Sequence, residues 1–301
     1  LGINRGDEVV VPESTWIASV APIVHLGAKP VFVDILKDSW CIDPKLVESA
    51  ITTKTRAIVC VHLYGNLCEL NELVKISQKY NIPLIEDSAE AVGSKYFNKH
   101  VGTFGSFGIF SFHGSKTIST GEGGMLVTND KKIYEKVKIL NNHGIDRNSD
   151  KQYFPSTVGY KFKITNIQAA MGLAQTERSK EIIQKKIKIM QFYKDYFYNN
   201  KFISFNIEPY GYRNSFWMPT AVFSNSSKVS IPILINDFHK KNVDARSFFW
   251  PLSSLKFFRN NKKNKISRDI HNRAINLPSF YDINRNQLLK VCRILEKKLS
   301  E

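Results

Sequence analysis

The sequence is poor in cysteine and has no long apolar run, and each shortage excludes a class of protein. Its four cysteines are scattered, with no C-x-x-C spacing: Cys41, Cys60, Cys68 and Cys292. This distribution does not indicate a disulfide framework or a zinc site, and it favours reduced thiols in a cytoplasmic protein. No apolar run approaches the ~20 residues of a membrane-spanning helix, and no leader pattern is recognisable near Leu1. We therefore expect no membrane partner.

Acidic residues are scarce relative to basic ones, 27 against 43, which gives the chain a net charge of +16. A basic excess of this size is compatible with binding to nucleic acid or to an anionic membrane surface. However, no helix-turn-helix, zinc-finger or stacking-aromatic signature accompanies the charge. A genome-wide bias toward lysine, asparagine and isoleucine explains it as well, so we expect no nucleic-acid partner.

The apolar residues, 43% of the 301 positions, form short continuous runs separated by helical patterns. The predicted strands are residues 8–11, 30–34, 57–62, 84–87, 107–112 and 124–128. The predicted helices are residues 16–26, 44–51, 70–80 and 131–140, followed by one long helix at 165–199. Continuous apolar strands that alternate with helices indicate a largely parallel sheet covered on both faces. The last third of the chain mixes short strands and helices, which indicates a smaller α+β domain.

A lysine and an aspartate each follow one of these strands. Lys116 lies in a glycine-rich loop after strand 107–112, and Asp87 ends strand 84–87. In a parallel sheet the carboxyl ends of the strands share one edge, where ligands bind. A lysine there can form a Schiff base with a carbonyl cofactor, and an aspartate can face a pyridinium nitrogen. The pair therefore predicts an enzyme that uses pyridoxal 5′-phosphate (PLP).

The motifs around these residues resemble those of the DegT/StrS-type sugar aminotransferases. Nearest the lysine and the aspartate they are E-D-S-A-E-A at 86–91, F-S-F at 110–112, H-G-S-K-T at 113–117 and G-E-G-G at 121–124. Farther away they are V-H-L-Y-G at 61–65, N-H-G at 142–144, I-Q-A-A at 167–170, G-L-A-Q at 172–175, F-F-W-P at 248–251 and I-N-L-P-S at 275–279. Any one motif could arise by chance, but the ordered set spans nearly the whole chain and is specific.

The resemblance implies a fold-type-I PLP-dependent transferase, which combines a three-layer α/β/α large domain with a smaller C-terminal α+β domain. We expect the PLP-binding large domain at residues 1–190 and the small domain at 191–301. In the family, an upstream segment carries a helix N-terminus whose amides hold the cofactor phosphate. We expect that segment to be missing, because the sequence at Leu1 resembles a helix end and a turn. The family also implies a homodimer.

The resemblance assigns roles to five residues near the cofactor. Lys116 would form the Schiff base and shuttle a proton, and Asp87 would pair with the ring nitrogen. Glu90 occupies the position that contacts the ring oxygen, and Trp16 matches the aromatic residue that stacks on the ring. Ser111 matches a serine that contacts the phosphate. Structural alternatives stay open: Asp87 as a turn cap, Glu90 as a solvated carboxylate and Trp16 as a core aromatic.

Two lysines depart from the family pattern. Relatives read G-Y-N-Y-R where this chain has G-Y-K-F-K at 159–163, so Lys161 and Lys163 replace an asparagine and an arginine. In the family that segment reaches the phosphate site of the neighbouring subunit, and lysine keeps the charge but loses the bidentate hydrogen bonding of arginine. Arg246 is a candidate for binding a substrate phosphate or carboxylate. The histidines lack metal-ligand spacing, so we expect no metal.

The activity that the resemblance implies is transfer of an amino group from L-glutamate to a 4-keto-6-deoxy nucleotide sugar, for a surface polysaccharide such as O-antigen. Within the family, the similarity is greatest to enzymes that convert GDP-4-keto-6-deoxymannose to GDP-perosamine, which is our first expectation. Three alternatives stay open: a related UDP- or dTDP-sugar aminotransferase, a PLP-dependent sugar dehydratase, and an inactive fragment of such an enzyme. Dehydratases of this fold carry histidine in place of the lysine, so Lys116 favours amino transfer.

Overall fold

The structure of the chain, a computed structural model, describes residues 1–146, 148–258 and 263–300. Among these residues we find no helix with the length and apolarity that a bilayer crossing requires. The four cysteines are all buried and free. The elements fall into a first part built around one large sheet and a second part built around a smaller one.

The first part contains eight strands and four helices. In chain order they are β1 (Glu8–Pro12), α1 (Ala21–His25), β2 (Lys29–Val33), α2 (Pro44–Ala50), β3 (Thr55–Val61), α3 (Leu70–Tyr80), β4 (Leu84–Asp87), β5 (Lys95–Tyr96), β6 (Lys99–His100), β7 (Phe107–Ser111), β8 (Gly124–Val127) and α4 (Lys131–Leu140).

The second part begins with two consecutive helices. In chain order its elements are α5 (Asn166–Glu177), α6 (Ser179–Tyr196), β9 (Ile203–Phe205), β10 (Tyr212–Arg213), β11 (Thr220–Phe223), α7 (Ile231–Lys240), β12 (Arg246–Ser247), α8 (Lys265–Arg273), β13 (Ala274–Asn276) and α9 (Arg285–Ser300).

The large sheet has the strand order β2-β1-β3-β4-β7-β8. Its first five strands are parallel and β8 runs antiparallel to β7, which confirms the predicted largely parallel sheet. β1 and β3 are buried nearly throughout, as expected for central strands covered on both faces. Val61 pairs with Asp87, and Asp87 pairs with Ile109 on β7. The carboxyl ends of β3, β4 and β7 therefore lie side by side at one edge.

Two predicted helices are wrong in their extent. The helix predicted at 16–26 is divided into a 3-10 turn at Ile17–Ser19 and α1 from Ala21, because Pro22 lacks an N–H and its ring would clash with a preceding α-helical turn. The helix predicted at 165–199 is divided into α5 and α6 at Arg178, which has φ −93° and ψ 4°. The N–H of Arg178 bonds to the carbonyl of Thr176, so the regular helical hydrogen bonding is interrupted there. The predicted cap at Thr165 is present as a capping box with Gln168.

A four-stranded antiparallel sheet with the order β12-β13-β11-β9 forms the second part. Its core includes Tyr193, Phe223, Phe238 and Leu295, which come from α6, β11, α7 and α9. The predicted domain boundary at residue 190 lies inside α6, and that division stays a prediction. A third, three-stranded sheet joins β10 to the hairpin β5–β6, and the sequence did not predict it.

Candidate active site

Asp87, the last residue of β4, presents a buried carboxylate at the carboxyl edge of the large sheet. Its Oδ2 accepts a hydrogen bond of 2.6 Å from the hydroxyl of Ser19, and its Oδ1 accepts one of 3.1 Å from the N–H of Ala89. Ser19 in turn is 2.9 Å from the hydroxyl of Thr15. The carboxylate is thus fixed from both sides, and its position at the strand end matches the prediction.

Glu86 points into the interior next to Asp87 and forms a buried network that the sequence analysis did not assign. Its carboxylate accepts bonds of 2.5 to 2.7 Å from three backbone N–H groups of the loop at 102–105. His62 Nδ1 accepts the N–H of Cys68, so the ring proton lies on Nε2, which donates to Glu86 at 3.3 Å. Burial alone would raise the pKa of Glu86, but the bonds from His62 and the backbone hold it below its ordinary value.

Lys116 follows β7 in the glycine-rich loop and is largely withdrawn from solvent, with a side chain 13% exposed. Its Nζ is 3.4 Å from Oε1 of Glu90. The same Nζ is 3.8 Å from the centre of the Trp217 ring, within the range of a cation–π interaction. The indole N–H of Trp217 donates a 2.8 Å bond to the carbonyl of Ser115, so one tryptophan holds both the loop and the lysine.

Glu90 is a buried carboxylate that contacts Lys116 and a strained turn. Its Oε2 accepts a 2.9 Å bond from the N–H of Tyr64, which has φ +55°. Gly65 follows at φ +92°, and a Cβ there would lie 2.6 Å from Oδ1 of Asn214, so the turn requires glycine. Burial raises the pKa of Glu90 to about 6, against the opposing effect of Lys116. The structure thus excludes the solvated carboxylate as an alternative for Glu90.

Trp16 lies on a segment that the C-terminal part of the chain holds in place. It is 59% exposed, and its ring centre is 5.9 Å from that of Phe249. Nearby, buried Glu13 accepts bonds of 3.0 Å from the N–H of Ser253 and 2.6 Å from the amide of Asn264. Burial raises the pKa of Glu13 above its ordinary value. Trp16 is therefore not a core aromatic, and its exposed ring is available for stacking.

The residues at this edge fit PLP. They supply an amine (Lys116) and a fixed carboxylate (Asp87), which are the groups that PLP chemistry requires of a protein, and an exposed aromatic ring (Trp16). The hydroxyls of Ser88 and Thr117, the residues that follow the aspartate and the lysine, are buried without a hydrogen-bond partner in the described part of the chain. Buried polar groups are normally paired, so these hydroxyls are compatible with a polar ligand.

Ser111 ends β7 at the same edge, and its Oγ accepts a 3.3 Å bond from the N–H of His113. Lys161 and Lys163, by contrast, are exposed. Nζ of Lys161 bonds to the carbonyl of Lys163, and Lys163 lines a separate cavity of about 230 Å³ beside α4. Their role toward a neighbouring subunit stays a prediction.

A cavity of about 670 Å³ lies between the Lys116 loop, the start of α6 and the loop after β13. Arg246 lines it together with Lys116, but the guanidinium of Arg246 is paired with Asp244 at 3.0 Å. Three further cations line it, Arg178, Lys186 and Lys290, which the sequence analysis missed. All three lie in helical sequence patterns, where arginine and lysine are ordinarily solvated, so no sequence signal distinguished them.

The chain is similar to known aminotransferases. The chain matches the DegT/DnrJ/EryC1/StrS aminotransferase family over residues 1–296. It is 38% identical over 302 residues to the GDP-perosamine synthase of Escherichia coli O157:H7, covering 100% of the chain and 81% of the relative. It is 35% identical over 299 residues to the GDP-perosamine synthase of Vibrio cholerae, covering 98% of the chain and 81% of the relative.

Solved structures of sugar aminotransferases share the fold. The PMP form of a sugar aminotransferase from Streptococcus pneumoniae has a TM-score of 0.91 at 26% identity, covering 99% of this chain and 83% of that one. PseC of Helicobacter pylori, an aminotransferase of pseudoaminic acid biosynthesis, has a TM-score of 0.93 at 25% identity, covering 100% of this chain and 81% of that one. The chain therefore belongs to the DegT/DnrJ/EryC1/StrS family and is a PLP-dependent sugar aminotransferase of fold type I.

Proposed function

We propose that this sugar aminotransferase moves the amino group of L-glutamate to a 4-keto-6-deoxy nucleotide sugar, with GDP-4-keto-6-deoxymannose as the acceptor. The observation that carries the reaction type is Lys116, a withdrawn amine at the carboxyl edge of the sheet in contact with Glu90. The GDP-linked acceptor rests on the relatives named GDP-perosamine synthase, which match 98 to 100% of the chain. The product would enter a surface polysaccharide such as O-antigen, made in the cytoplasm.

The residues of the site divide the chemistry among them. PLP supplies an electron sink that lets a proton leave the carbon bearing the amino group. Lys116 would hold the cofactor covalently, and its Nζ, when free, would carry that proton. Asp87 would favour the protonated form of the cofactor's ring nitrogen, because an anionic carboxylate stabilises a nearby positive charge. Glu90, 3.4 Å from Nζ, orients the lysine and stabilises its charged form.

We also propose that the enzyme acts as a homodimer. The segment before α5 and the surface of α5 expose large apolar side chains, including Phe162 (74% exposed), Ile167 (77%) and Leu173 (63%). Contiguous exposed apolar surface of this kind marks a protein interface. Lys161 and Lys163 lie on the same surface, where a second copy would meet them. Sedimentation of the PLP-loaded enzyme should give a dimer, and a monomer that is fully active would contradict this proposal.

The substrate proposal is tested by incubating the PLP-loaded enzyme with glutamate and each candidate acceptor. Separate reactions contain the 4-keto-6-deoxy sugars linked to GDP, UDP and dTDP, and mass spectrometry identifies the products. We expect an amino sugar from the GDP-linked acceptor with equimolar 2-oxoglutarate, and none with Lys116→Ala. Preference for a UDP- or dTDP-linked acceptor would contradict the proposed GDP-linked acceptor. A deoxygenated product without nitrogen would indicate a dehydratase.

A further inference from the structure

The cavity beside Lys116 contains a cation that the proposed reaction does not use. Its wall includes Lys116 and Lys186, but none of the other predicted cofactor residues. Lys186 lies on α6, about two turns after the break at Arg178, and faces the loop that follows β13. A group bound in this cavity would therefore lie next to the amine that carries the reaction.

Besides Lys116 and Lys186, three cations line the cavity: Lys290, which is exposed to water, and two arginines that are paired with carboxylates. Arg246 bonds to Asp244 through two nitrogens, at 3.0 and 3.2 Å. Arg178 bonds to both carboxylate oxygens of Glu181, each at 3.1 Å. Both arginines and both acids are exposed, so these pairs are also screened by water.

Lys186 differs from both arginines. Its Nζ donates to the carbonyl and the hydroxyl of Ser279, and within the described ranges it has no carboxylate partner. An ammonium has three N–H donors, so one remains for another acceptor. Burial lowers the pKa of Lys186 to about 8, which reflects a charge withdrawn from water without an opposite charge. A ligand anion in the cavity would supply that charge.

We propose that Lys186 binds an anionic group of a substrate, a carboxylate or a phosphate, in the cavity beside Lys116. The inference rests on the proposed function, which brings two such anions to the site: the carboxylates of the amino donor and the diphosphate of the nucleotide sugar. Arg246, the cation that the sequence predicted for this task, has a secondary role because Asp244 already neutralises it.

The test measures the binding of two unreactive probes to the PLP-loaded enzyme by calorimetry. Glutarate represents the dicarboxylate donor, and GDP represents the diphosphate. We expect Lys186→Gln to weaken the binding of one probe by about 10- to 100-fold, because one hydrogen bond from a charged donor is lost. Lys186→Arg should keep most of the affinity. Lys185→Gln, the neighbouring lysine outside the cavity wall, is the matched control and should change the affinity by less than about twofold.

If Lys186→Gln weakens the binding of glutarate alone, the site binds the carboxylate of the amino donor. If it weakens the binding of GDP alone, the site binds the diphosphate of the nucleotide sugar. Unchanged binding of both probes by Lys186→Gln, or a loss no larger than that of Lys185→Gln, overturns the proposal. Because Lys186 also holds Ser279, thermal unfolding is measured in parallel, and Lys186→Met serves as a second neutral variant if the glutamine variant does not fold. The probes need no turnover, so failure of the amino-transfer assay is a separate result.

Discussion

The substitution Glu90→Gln tests the electrostatics of the site through the pH dependence of folding. Glu90 is 5% exposed, and burial raises the pKa of its carboxyl from 4.5 to about 6. Glutamine has the same shape and stays neutral at every pH. It removes the buried charge while keeping an oxygen that accepts the N–H of Tyr64.

The magnitude follows from the difference between the two pKa values. At about 1.4 kcal/mol per unit, a rise from 4.5 to about 6 corresponds to about 2 kcal/mol. Because the pKa of Glu90 is raised in the folded state, its contribution to the free energy of unfolding is most favourable below pH 4.5 and is lost as the pH rises through about 6. We therefore expect Glu90→Gln to match the wild type near about pH 4 and to be more stable by about 2 kcal/mol near about pH 7.5.

Urea unfolding followed by tryptophan fluorescence at several pH values measures this difference. Glu135→Gln, an exposed carboxylate on α4, is the matched control and should leave the stability unchanged within about 0.5 kcal/mol throughout. A difference between Glu90→Gln and the wild type that does not vary with pH would refute the reasoning. So would a variant that is less stable than the wild type near neutral pH.

Two further predictions concern the strand end beside Glu90. Asp87→Asn should leave thermal unfolding nearly unchanged but slow the amino-transfer half-reaction by about 10- to 100-fold, because one hydrogen bond to a charged group is lost. A normal single-turnover rate would indicate that Asp87 only caps a turn. Glu86→Gln should lower the free energy of unfolding by about 1 to 3 kcal/mol at neutral pH, because the amide is a weaker acceptor than the carboxylate and its NH2 group would face backbone N–H donors. Since the pKa of Glu86 is lowered in the fold, this deficit should shrink as the pH falls below 4.5, and a constant deficit would contradict it.

The sequence predicted the large sheet well because its strands are continuous apolar runs with clear breaks. The six predicted strands are all present with small shifts at their ends, and the parallel arrangement brings Asp87 and the Lys116 loop to one edge. The division of the long helix at Arg178 was not predictable in the same way, since no glycine or proline marks it. Pro22, however, is a signal that could have shortened the helix predicted at 16–26.

The contacts that tune the site could not be found from local patterns. Trp217 lies about a hundred residues from the loop that it holds, and Lys186 faces Ser279 from an equally distant part of the chain. Glu86 did leave a signal: two consecutive carboxylates at the end of a buried strand point to opposite faces, so one must be paired inside. Which partners pair it depends on tertiary packing that the sequence does not display.

The central claim is that Lys116 alone holds the cofactor, and peptide mapping tests it most directly. The PLP-loaded enzyme is reduced with borohydride, which makes the lysine–cofactor link permanent, and is then digested and analysed by mass spectrometry. We predict a single modified peptide that contains Lys116, and none in Lys116→Ala. Modification of another lysine, or an unmodified Lys116 in an enzyme that still transfers amino groups, would contradict the account.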